Sequence, residues 1–284
     1  LEREVTAEDW VGARSNGGQL VVAASEFCQS DLVMQPMECC DSPMGIPSPT
    51  TLDRYRRLSR VHPYMVIVEA DSVGIQSRAR AHQLVIIKDP AHLQGTSKIV
   101  QVIRKEDGTV KIIIQLNHSG SISDGRFSRV VRVCAPSENS PDNALGDILT
   151  TEEIEEIITA FIDGAEAAYL AGADGVDVKC CHGYLLGQIL RPANIREDGF
   201  GGGPDGSNFD GRVEVVRRIV EGIDLRIKQV YEREKGDIPT LRSPKEFELM
   251  VRLSVYEGIV GGIGTKGPQD ESLAPEEMQE MMDA

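Results

Sequence analysis

The sequence has no long hydrophobic run. Its longest apolar stretches, such as Leu20 to Ala24 and Met65 to Val68, fall far short of the roughly 20 residues that a membrane-spanning helix needs, so no bilayer crossing is expected. Positive charge is also scarce: 30 Lys and Arg against 45 Asp and Glu leave a net charge of −15. Such a field repels phosphate backbones and anionic lipid, which argues against a general nucleic-acid binder. The six cysteines form no Cys-x-x-Cys, although Cys39-Cys40 and Cys180-Cys181 are adjacent, so neither iron-sulfur nor paired-thiol spacing is present. No basic segment followed by an apolar one opens the chain, and a reduced, cytoplasmic setting is the expectation. Internal repeats and low-complexity tracts are lacking as well.

What is present is an alternation. Short β-branched runs at Leu32 to Met34, Met65 to Glu69, Ile112 to Leu116, Gly175 to Val178 and Met250 to Leu253 are separated by segments of helical period near Thr51 to Arg60, His92 to Lys105, Thr151 to Ala171 and Asp210 to Val230. This is the pattern of βαβ units around a parallel sheet. The third helix is the best specified: Thr150 and Glu153 have capping-box spacing, Ile154, Ile157, Ile158, Phe161, Ala165 and Ala168 share a face, and Gly172 stops it. In the fourth, Val213, Val216, Ile219 and Val220 are expected to face the sheet. Residues 1–31 read as a poorly specified lead-in and 32–284 as one barrel-type domain. Long connections at Glu38 to Pro49, His118 to Leu149 and Cys180 to Asn208 all follow strand ends, where α/β barrels build their sites.

Three strand ends carry candidate chemistry. Val176-Asp177-Val178 runs into Lys179, His182 and Tyr184, three donors able to polarise a carbonyl and protonate the carbon beside it, or simply to satisfy local partners. Gln115 sits in the strand that empties into Asn117-His118-Ser119-Gly120; its amide offers both a donor and an acceptor, to a cyclic imide or to neighbouring backbone. Arg252 is a cation in an apolar strand and needs a partner, either a barrel carboxylate such as Glu69 or an electron-rich ligand atom.

The run Ala171 to Val178, followed by His182-Gly183-Tyr184-Leu185-Leu186 and Gln188 to Gly202, resembles the old yellow enzyme family of FMN-dependent NAD(P)H:flavin oxidoreductases. Gln35-Pro36-Met37, Gly45-Ile46-Pro47, Val68 to Val73, Gln115 to Gly120 and Val251 to Ser254 match it in the same order. The resemblance implies an α/β fold, a TIM (β/α)8-type barrel, of which about five strand-helix units are visible here. It also implies FMN, with NADH or NADPH as reductant, and a small-molecule substrate with an electron-poor double bond. Pro36, Met37 and Ala70 would lie along the flavin, Gln115 would bond its pyrimidine edge, and Arg252 would offset negative charge near N1. Lys179 and His182 would hold the substrate carbonyl, and Tyr184 would protonate the α-carbon.

Departures accompany the match. Lys179 stands where the family usually has histidine, and Glu38 where many relatives carry a hydroxyl. Only 32 residues follow Arg252, without a sixth, seventh or eighth strand, so the expectation is a fragment with weak or no activity whose open sheet edges another copy or chain would cover. A degenerate barrel acting as an interaction subunit, and a Schiff-base lyase using Lys179, are the alternatives.

Overall fold

The computed structural model describes residues 32–134, 146–238 and 241–283. The lead-in at 1–31 and part of the connection before Leu149 lie outside them. Five parallel strands form one sheet in strictly sequential order: β1 (Val33–Met34), β2 (Met65–Ser72), β3 (Lys111–Asn117), β6 (Gly175–Cys180) and β7 (Glu248–Leu253). A doubly wound sheet would reverse its order at a switch point; this one does not. A separate two-stranded pair, β4 (Val131–Arg132) and β5 (Asp147–Ile148), lies inside the connection expected to be irregular.

Helices α1 (Pro49–Ser59), α2 (Pro90–Glu106), α3 (Thr151–Leu170) and α5 (Phe209–Glu234) occupy the connections between sheet strands, with the short α4 (Leu185–Leu190) ahead of α5 and α6 (Pro275–Asp283) near the end. Their apolar stripes pack on alternate strand residues, Val66, Val68, Ile112, Ile114, Leu116, Val176 and Val178, to form the main core. The opposite sheet face holds a second, small cluster of Met65, Ile67 and Ile113 with Val33 and Met250. Helices on one face and a narrow apolar plug on the other are the arrangement of a barrel wall. The fold is an incomplete α/β barrel among the described residues: the parallel sheet was expected from the alternation and the barrel from the family resemblance.

Local signals act as expected on α3: the Thr150 side chain accepts from the Glu153 N–H while Glu153 caps the Thr150 N–H, worth about 1 kcal/mol. Gly172, at φ +88°, then turns the chain toward β6. The buried stripe of α5 differs from the expected one. It runs through Val215, Ile219, Ile223, Ile227 and Val230, leaving Val213, Val216 and Val220 only partly buried, because residues four apart stack into one continuous apolar stripe that meets the core.

The loops at the carboxyl ends of β1 and β2 are sewn together. Ser42 N–H donates to the His82 carbonyl at 2.9 Å and Val85 N–H to the Gly45 carbonyl at 3.0 Å. Gly45 has φ +79°, and any Cβ there would collide with the Val85 side chain. Among the described residues no helix is long and apolar enough to cross a membrane.

Candidate active site

Strand alternation sets who faces the barrel interior. From the Ile113 plug upward, β3 presents Gln115 and β6 presents Asp177 and Lys179, while β7 presents Met250 and Arg252. Gln115 lies opposite Asp177, and Lys179 opposite Arg252. Two of the sequence candidates meet on one atom: Asp177 Oδ2 accepts from Gln115 Nε2 at 2.8 Å and from Arg252 Nε at 2.9 Å. Arg252 also donates from Nη1 to Gln35 Oε1 at 3.1 Å. The partner of Arg252 is therefore Asp177. Glu69, the carboxylate suggested for that role, is committed elsewhere: it accepts from Arg54 Nη2 at 2.6 Å, from the Tyr55 hydroxyl at 3.3 Å and from the Cys39 N–H at 3.0 Å.

A second set gathers around Glu38 in the coil after β1. Its carboxylate faces Lys179 Nζ at 3.4 Å, accepts from the Tyr184 hydroxyl at 3.4 Å and pairs with Arg80 at 3.0 Å. The Lys179 ammonium also stands 3.6 Å above the centre of the Tyr184 ring, a cation–π contact that favours the charged amine. Burial lowers the Lys179 pKa from its ordinary value, against which Glu38 pulls upward. Burial raises that of Tyr184, and Glu38 adds to the rise.

Of the other expected residues, His182 is exposed on the turn after β6, at φ +59°, and its side chain makes no hydrogen bond among the described residues. Met37 is exposed and Pro36 half-buried beside it. Ala70 is fully buried next to an irregularity in the β2 register, and its carbonyl accepts from Gln83 Nε2 at 2.7 Å. Asp177, Glu38 and Arg80 were not among the sequence candidates. Period-two spacing from Lys179 would have placed Asp177 on the same face.

Several buried polar atoms at this end have no partner among the described residues: Asp177 Oδ1, Asp71 Oδ1, both atoms of the Asn117 amide and the Ser119 hydroxyl. Burial, then the nearby Glu69 and Glu38 charges, raise the Asp71 pKa well above the usual carboxylate range. Orphaned groups of this kind are rare in a sealed core and typical of a surface shaped for a ligand.

A family model described as NADH:flavin oxidoreductase / NADH oxidase family matches residues 29–230. The chain belongs to that family. An NADPH dehydrogenase of Geobacillus thermodenitrificans is 34% identical over 197 residues, covering 67% of this chain and 56% of that protein. The chain thus spans about half the length of the curated relatives it matches. Among solved structures, an old yellow enzyme homologue from Zymomonas mobilis superposes with a TM-score of 0.63 at 21% identity, covering 82% of this chain and 61% of the other. A 2-naphthoyl-CoA reductase complex gives 0.71 at 20% identity, covering 89% and 36%. Both show the barrel fold.

Proposed function

We propose that this chain serves an FMN-dependent oxidoreductase that takes reducing equivalents from NADH or NADPH and passes them to an activated alkene. The observation that carries the reading is the meeting of Gln115 and Arg252 on Asp177 at the same strand ends that bear Lys179 and Tyr184. The residues fit a flavin. The Gln115 side-chain oxygen makes no hydrogen bond among the described residues and is available, with the amide, to the edge of a flat heterocycle. Arg252 supplies a fixed cation where negative charge would collect, and Pro36, Met37 and the Ala70 backbone would lie along the ring.

The chemistry supplied by the flavin when bound is hydride transfer from a nicotinamide to the β-carbon of an electron-poor double bond. Lys179, with His182 from the turn after β6, would hold the substrate carbonyl, and the Tyr184 hydroxyl would deliver a proton to the α-carbon. Asp177 keeps Gln115 and Arg252 in place, because one carboxylate oxygen fixes both. A lyase would need Lys179 as a free amine; burial acts toward that state, and Glu38 and the Tyr184 ring act against it.

Anaerobic titration with FMN, followed by addition of NADH and then of an enone, tests the reading. Flavin absorbance that is retained on gel filtration, bleached by NADH and restored by the enone is the expected result. A protein that retains no flavin, or whose reduced flavin ignores the enone, would overturn it.

A further inference from the structure

Glu38 is the least conventional member of the site. It comes from coil rather than from a strand, yet its side chain is only 10% exposed and three donors from three separate segments converge on it. Its Oε1 is shared by Lys179 and Tyr184, while Oε2 takes the Arg80 guanidinium. The next residue anchors the coil, since the Cys39 N–H donates to Glu69 at 3.0 Å, so the carboxylate cannot drift far from Lys179.

We propose that Glu38 is a positioning residue which keeps Lys179 as an ammonium and holds it and the Tyr184 hydroxyl in one fixed donor set. The proposal rests on the functional reading for its purpose, but its physical content concerns only this chain's side chains. Lysine is a flexible point charge, and a flexible donor must be tethered to act as a planar, fixed one would. The groups facing Lys179 are Glu38, Tyr184, Asp177 and Cys181, with Arg252 opposite it on the next strand and Arg80 beside both Glu38 and the Tyr184 hydroxyl. Burial acts against the charged amine and Glu38 is the strongest group acting for it. With Glu38 neutral, two cations and a phenol would be left around an empty centre, and Lys179 would shed its proton at lower pH.

The same carboxylate also resists ionisation of Tyr184, because a phenolate beside Glu38 would place like charges together. Glu38 thus acts in favour of a charged amine and a protonated phenol, the two states that polarising a carbonyl and donating a proton require.

The test is the titration of Lys179 in flavin-free protein, followed by NMR of 15N-labelled lysine side chains and assigned by the loss of its signal in Lys179→Arg. Glu38→Gln should move the Lys179 midpoint down by about one pH unit, a tenfold change in the protonation equilibrium. Glu38→Asp should restore most of it, and Glu38→Thr, which shortens the side chain, should behave like Gln and supplies the comparison if Glu38→Gln does not fold. A Lys179 curve in Glu38→Gln or Glu38→Thr that overlays the wild-type curve would overturn the proposal. Because no flavin is involved, failure of the protein to bind FMN would sink the functional reading and leave this result intact.

Discussion

The two ends of the sheet treat a buried aspartate in opposite ways. At the amino ends of the strands, Asp174 is saturated: its Oδ2 accepts from the Ile112 N–H at 2.7 Å and from Arg104, and its Oδ1 pairs with Arg242. At the carboxyl ends, three residues further along the chain, Asp177 uses one oxygen for Gln115 and Arg252 and leaves the other without a partner among the described residues, with Asp71, Asn117 and Ser119 in the same condition nearby. One end has completed its hydrogen bonding within the fold; the other has not. Unsatisfied buried groups lower stability, so the carboxyl end holds back stability that a bound ring system would return.

Asp174→Ala should break the comparison most severely. It strips two arginines and a buried N–H of their partner, and about 3 kcal/mol of unfolding free energy should be lost, read from urea denaturation. Next comes Tyr184→Phe, which removes from the fold the hydroxyl's 3.4 Å hydrogen bond to Glu38 and its interaction with Arg80. It should leave reduction of bound flavin by NADH intact and slow alkene reduction by about 100-fold or more in stopped-flow experiments. Unchanged alkene turnover would remove Tyr184 as the proton donor.

Arg252→Ala should weaken FMN binding by about tenfold while costing about 1–2 kcal/mol of stability, because Asp177 loses its cation. Equal FMN affinity in the two proteins would reject the placement of Arg252 beside the ring. The smallest effect is one of pH. Burial lowers the His118 pKa to about 4 from its ordinary 6.5, and its Nδ1 accepts from the Gly120 N–H. Below pH 6.5 the unfolded chain takes up a proton that the folded chain refuses until about pH 4. Stability should therefore be full above pH 6.5 and fall as the pH drops toward 4, and His118→Asn, which keeps an acceptor near Nδ1, should flatten that decline in thermal melts.

Much of the frame was legible because the signals are local. All five sheet strands overlap their predicted runs, and α3 begins where Thr150 and Glu153 say it must. Less visible were α4 and the β4–β5 pair, since a six-residue helix and two-residue strands carry too little period to register. The candidate site was legible in its residue types but not in its pairings. Asp177 and Arg252 are 75 positions apart, and only the register of β6 against β7, with Lys179 opposite Arg252, brings them together. Glu38 gave no periodic signal because it lies in coil, so its place between Lys179 and Tyr184 is a product of tertiary packing alone.

The seam between the loops after β1 and β2 bears on any attempt to reshape this end of the molecule. Gly45 and Val85 interlock, and backbone bonds tie 42 to 82 and 45 to 85, so Glu38 and Arg80 are carried on what is mechanically a single piece. Substitutions in one loop will alter the effect of those in the other, and single-site scans will understate what paired changes can reach. Directed evolution of specificity here should randomise the two loops together.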